Sequence, residues 1–127
     1  LVEWTYCNTA FTNKTRPRFE PKAGIWAPDI NYINGKYVLY YAMSVWGGEQ
    51  TCGIGVATAN SPQGPFTDHG KMFRSNEIGV QNSIDPSLLQ YEGRNYLVWG
   101  SFRGIYVIEL TADHAGSEKK ENSGNCF

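Results

Sequence analysis

NSIDPSLLQYEGRNYLVWGSF, residues 82–102, places an acid at its head, a glycine turn in its middle and an aromatic-rich strand at its end. Alone it reads as an ordinary hairpin. An earlier stretch, WAPDINYINGKYVLYYAMS at residues 26–44, repeats the order of acid, short apolar strand, glycine turn and aromatic-rich strand. The acids Asp29 and Asp85 lie 56 residues apart and the turn glycines Gly35 and Gly93 lie 58 apart. A repeat of that length with several strands per unit predicts the blades of a β-propeller.

In a propeller the first strand of every blade runs along the central axis in the same sense, so equivalent residues of successive blades meet on one rim. Asp29 and Asp85 are therefore expected at the same opening. Pro86 disfavours helical backbone at Asp85, which predicts an extended aspartate entering its strand.

The chain has 127 residues, 41% of them hydrophobic and 14% aromatic, enough for one small core and too few for a whole propeller of at least four such blades. The expectation is a piece of about two blades from a larger protein, in keeping with a start at Leu1 and no signal peptide or membrane-spanning apolar run. A net charge of -1 gives no electrostatic reason to expect nucleic acid or an anionic membrane as partner. Cys7, Cys52 and Cys126 form no CxxC pair and no zinc spacing, and read as small buried thiols. His69, in a turn, and His114, in the polar tail, have no partner at ligand or triad spacing, and no metal site is read.

Taken in order, residues 1–11 read as the outer strand of a blade whose other strands are absent, and residues 12–24 as a polar crossing loop. A four-stranded blade follows at 26–73. Its strands are expected at 29–33, 37–43, 52–59 and 66–73, with Asn34-Gly35 a tight turn that needs positive φ at both positions. The run YVLYYAM, apolar without alternation, predicts a strand covered on both faces. A second blade spans 82–111, with strands at 84–91, 95–102 and 105–111, before a polar tail at 112–127. Helical periodicity is missing and the class is all-β. Among the aromatics, Tyr32, Trp99 and Phe102 read as packing. Trp26, just before a rim acid, and Trp46, beside Gly47-Gly48, are the candidates for ligand contact.

Four of these segments carry a resemblance. WAPDI at 26–30, IGVATANSPQGPF at 54–66, NSIDPSLL at 82–89 and YLVWGSFRGIYVIEL at 96–110 together resemble family 43 of the glycoside hydrolases, within it the arabinan-degrading enzymes. The resemblance implies a five-bladed β-propeller that hydrolyses arabinofuranosyl linkages of arabinan with inversion, secreted to the extracellular space or periplasm. It implies no required cofactor and leaves a structural metal in the channel open. Asp85 matches the family's middle aspartate, which orients the general acid and, as a second negative charge nearby, raises that acid's pKa. Trp26, Asp29, Asn82 and Ser101 match positions lining the sugar pocket. The general base belongs to an earlier blade, and the general acid is expected to be a glutamate directly after Phe127, because Gly124-Asn125-Cys126-Phe127 looks like its lead. Xylosidase or exo-arabinofuranosidase activity on the same scaffold, and a non-catalytic carbohydrate-binding propeller, are the alternatives.

Overall fold

The computed structural model describes residues 3–111. The polar tail at 112–127, with His114, Cys126 and the expected lead to a glutamate, lies outside the described residues.

Seven strands and one helical turn follow one another: β1 (Gly24–Ile33), β2 (Lys36–Ser44), β3 (Gly53–Ala59), β4 (Thr67–Arg74), α1 (Ser75–Ile78), β5 (Ser87–Tyr91), β6 (Arg94–Ser101) and β7 (Gly104–Leu110). They form a four-stranded sheet in the order β1-β2-β3-β4 and a three-stranded sheet in the order β5-β6-β7. All pairings are antiparallel between neighbours in sequence, the meander of a propeller blade. The two-residue turns form where the sequence placed them. Asn34 and Gly35 take φ of 49° and 81°, and Glu92 and Gly93 take 48° and 75°, the left-handed pair that matches strand twist.

Strand β2 is buried on both faces, as its unbroken apolar run required. Val38 and Tyr40, with Ile54 and Val56 of β3, share one core cluster with Leu97 and Trp99 of the second sheet. Leu39, Tyr41 and Met43 face the other way, against Ala57, Phe66 and segment 10–25. That segment does more than cross between blades: Phe11 meets the Tyr41 ring edge-on at 5.7 Å and Phe19 stacks on it at 6.2 Å. The small residues of β3 serve the same ring, since a Cβ on Gly55 would stand 2.3 Å from the Tyr41 hydroxyl. Trp99, held between Phe73 at 4.9 Å and Tyr106 at 5.9 Å, is core.

Three expectations need correction. Residues 3–9 form no strand and leave Trp4 and Tyr6 exposed, because β structure exists only through a ladder and no described strand edge pairs with them. Cys7 is accordingly exposed, whereas Cys52 is buried. His69 lies inside β4, with Nε2 2.7 Å from the Thr58 hydroxyl, at a place where the β3–β4 register shifts.

Candidate functional site

The pairing of Gly24 with Ser44, Met43 with Gly53 and Gly53 with Arg74 brings the start of β1, the β2–β3 loop and the end of β4 to one end of the first sheet. Helix α1 and residues 79–86 continue from there into the second sheet. At that same end β6 stops and turns through Phe102 and Arg103 into β7. All the residues singled out from sequence, Trp26, Asp29, Trp46, Asn82, Asp85 and Ser101, belong to these elements or, for Asp29, to the strand just below them.

Trp26 sits beside a bulge. The β1–β2 register slips between Trp26 and Asp29, with Ala27 at φ 34° and Pro28, which has no N–H to donate, in the unpaired stretch. Gly24 leaves room for the indole, since a Cβ there would lie 2.9 Å from Trp26 Nε1. Trp46 projects from the β2–β3 loop, 93% exposed, its ring 6.3 Å from that of Trp26. Two neighbouring aromatic faces at a rim offer an apolar platform of the kind sugar rings stack upon.

The two acids are in different circumstances. Asp29 Oδ2 accepts hydrogen bonds from the main-chain N–H of Leu88 at 2.6 Å and from Asn31 Nδ2 at 2.8 Å. Its charge is used to hold β5 of the second sheet against β1 of the first, which gives it an amide-satisfying task reaching across to the neighbouring sheet. Beside it, Tyr40 is buried with no hydrogen-bond partner for its hydroxyl among the described residues, and burial, aided by the Asp29 charge, pushes its pKa up to about 12. Asp85 is exposed, and its carboxylate accepts no hydrogen bond among the described residues. Its backbone is not extended: φ is 54°, and β5 begins only at Ser87. Proline at 86 excludes the right-handed helical region, but the loop fixes the left-handed one instead, a conformation aspartate tolerates better than most side chains.

What fixes it is main-chain bonding on both sides. Asn82, buried and itself at φ 61°, donates its N–H to the Glu49 carbonyl at 2.8 Å, and its carbonyl accepts the Ile84 N–H at 2.9 Å. The Ile84 carbonyl accepts the Gly100 N–H at 2.8 Å. Asn82 Nδ2 donates to Ser101 Oγ, so two residues expected to line a pocket are bonded to each other. Below them, Ser75 Oγ accepts the Ser83 N–H at 2.9 Å and lies 3.2 Å from Cys52 Sγ, a buried polar knot under the loop.

Sequence reasoning passed over Glu49 and Arg103. Arg103 Nε and Nη2 reach Glu49 Oε2 and Oε1 at 2.9 and 3.4 Å, joining the β2–β3 loop to the β6–β7 turn across the sheets. Nothing local could have revealed a pair separated by 54 residues; the only cue was opposite charge in two loops sharing one end. Among the described residues no group of three or more His, Cys, Asp and Glu side chains is placed to hold a metal ion.

The family model for "Glycosyl hydrolases family 43" matches residues 1–123. "Arabinan endo-1,5-alpha-L-arabinosidase A" of Aspergillus niger is 34% identical over 110 residues, covering 84% of this chain and 34% of that protein. "Extracellular endo-alpha-(1->5)-L-arabinanase 1" of Bacillus subtilis is 39% identical over 114 residues, covering 84% of this chain and 35% of that protein. Among solved structures, the Cellvibrio cellulosa α-L-arabinanase complexed with arabinohexaose superimposes with a TM-score of 0.71 at 30% identity, over 85% of this chain and 38% of that one. The chain thus spans about a third of the length of the curated relatives it matches, and its two sheets are about two blades of the five-bladed β-propeller. With the family model matching residues 1–123, the chain belongs to glycosyl hydrolase family 43.

Proposed function

We propose that these two blades work within a longer inverting glycosidase that cleaves α-L-arabinofuranosyl linkages of arabinan, with Asp85 as the residue that orients the general acid and raises its pKa. The observation carrying this reading is the contrast between the acids: Asp29 is engaged by Leu88 and Asn31, while Asp85 stands exposed at the rim with its carboxylate unengaged among the described residues. An unengaged carboxylate on a rigid loop acts on whatever enters beside it. Inversion needs one group to activate water and another to protonate the leaving oxygen on the opposite face of the sugar. In this reading both come from outside residues 3–111, and water is the only co-reactant.

The Trp26–Trp46 pair and the Asn82–Ser101 pair supply apolar and polar contacts to the sugar. Secretion follows from the polymeric substrate and accords with a Bacillus relative described as extracellular. The test is Asp85→Asn in the full-length protein. Hydrolysis of linear arabinan is expected to fall roughly a hundredfold in kcat, the scale of general acid catalysis. The alkaline limb of its pH profile should move to lower pH, because removing a neighbouring negative charge lowers the acid's pKa. Undiminished turnover by the Asn variant refutes the role.

A further inference from the structure

Among the described residues Asp85 has no hydrogen bond of its own to fix it, so its position is that of its loop. The loop is gripped from two directions: Glu49 holds Asn82 through its carbonyl, while Gly100 and Ser101 hold Ile84 and Asn82. These two supports belong to different blades, and the forked contact of Arg103 with Glu49 is the ion pair that joins them. Side chain of Glu49, guanidinium of Arg103, end of β6, residues 82–84 and carbonyl of Glu49 form a closed ring with Asp85 at its edge. Arg103 also lies 5.1 Å over the Phe102 ring, which limits the directions its fork can take.

We propose that Glu49 and Arg103 are positioning residues for Asp85: an interblade clamp that sets the distance between the two loops gripping the loop of the rim carboxylate. The proposal rests on the functional reading above for its catalytic consequence, and on geometry alone for its structural one. A half-exposed ion pair adds little to global stability, in the range of 0–1 kcal/mol for surface pairs in general, so the clamp's effect is local. A displaced Asp85 costs turnover, because misplacement of a group by about 1 Å can cost up to a hundredfold. The Asn82–Ser101 contact does not pass through the ion pair and survives its loss, so the effect is expected in kcat more than in KM.

The experiment uses the full-length protein with linear arabinan as substrate. Arg103→Gln and Glu49→Gln are each expected to lower kcat about fivefold, with KM changed less than twofold and the melting temperature little altered. The reversed pair, Glu49→Arg with Arg103→Glu, should recover most of the lost kcat, since the main-chain bond from Glu49 survives any side chain. Unchanged kcat in the single variants, or no recovery in the reversed pair, overturns the clamp. A crystal structure of the Arg103→Gln protein separates this from the parent reading. Residues 82–86 displaced in a protein that does not hydrolyse arabinan would keep the clamp and remove the function; residues 82–86 unmoved would remove the clamp.

Discussion

Replacing Asp29 decides whether it is a substrate ligand, as the sequence suggested, or a tie between sheets, as the structure shows. Its Oδ2 takes the Leu88 N–H at 2.6 Å and the Asn31 amide at 2.8 Å, both charge-assisted. Hydrogen bonds to a charged group contribute about 1.5–3 kcal/mol each. In Asp29→Ala the half-buried Leu88 N–H loses its partner, while the Asn31 side chain, on the same strand, turns to water at small cost. The expected loss is therefore about 2 kcal/mol, nearly all from the first bond. Asp29→Asn keeps one acceptor oxygen without the charge and should lose roughly 1 kcal/mol. Urea unfolding of the full-length enzyme, followed by tryptophan fluorescence, reads both; a lower midpoint at unchanged slope marks a loss of stability and not of compactness. The Asn variant, assayed well below its unfolding temperature, should keep kcat within about threefold, as the two-bond docking is weakened and not removed. Wild-type stability in Asp29→Ala, together with collapse of turnover in Asp29→Asn, would refute the tie and return Asp29 to the sugar pocket.

Tyr40 predicts a pH dependence. Folded, its phenol holds its proton to about 12 against an ordinary 10.0, so the unfolded chain loses its proton first as pH rises. The contribution is fully present below pH 10 and is lost through pH 12, about 2–3 kcal/mol at 1.36 kcal/mol per unit. Tyr40→Phe should remove that loss, with little change at pH 8 because the hydroxyl has no partner among the described residues; urea midpoints at pH 8 and 11 compare the two. The outer face of the second sheet carries Leu89, Tyr91, Ile105 and Val107, all exposed and on one side by register. The isolated 127-residue chain is expected to self-associate through that face and its strand edges. Leu89→Lys with Val107→Lys should shift light scattering toward monomer, and a chain monomeric without them would count against this.

What the sequence made legible was whatever is encoded within a few residues. Asn34-Gly35 and Gly93 turn because asparagine and glycine accept the positive φ the backbone needs there, and β2 is buried on both faces because no polar residue interrupts it. What it hid depends on partners far along the chain. Asp29 meets Leu88 across 59 residues and Glu49 meets Arg103 across 54. Residues 12–24 read as a polar crossing because their charges outnumber Phe19, yet Phe19 and the preceding Phe11 fix where the segment lies, against Tyr41. The conformation of Asp85 departs from the extended one Pro86 favours because main-chain bonds with Glu49 and Gly100 hold the loop.

One distinction was nonetheless written in the spacing. Asp29 stands six residues before its turn glycine and Asp85 eight before its own, so acids 56 apart belong to turns 58 apart. The two extra residues place Asp85 before Ser87, the first residue of β5, in the loop and not in the ladder. Asp29, nearer its turn, remains inside β1, level with Tyr40, where the neighbouring sheet supplies an amide for it. Two equivalent-looking carboxylates thereby divide the work: the one within the ladder joins the blades, and the one carried beyond it is left exposed.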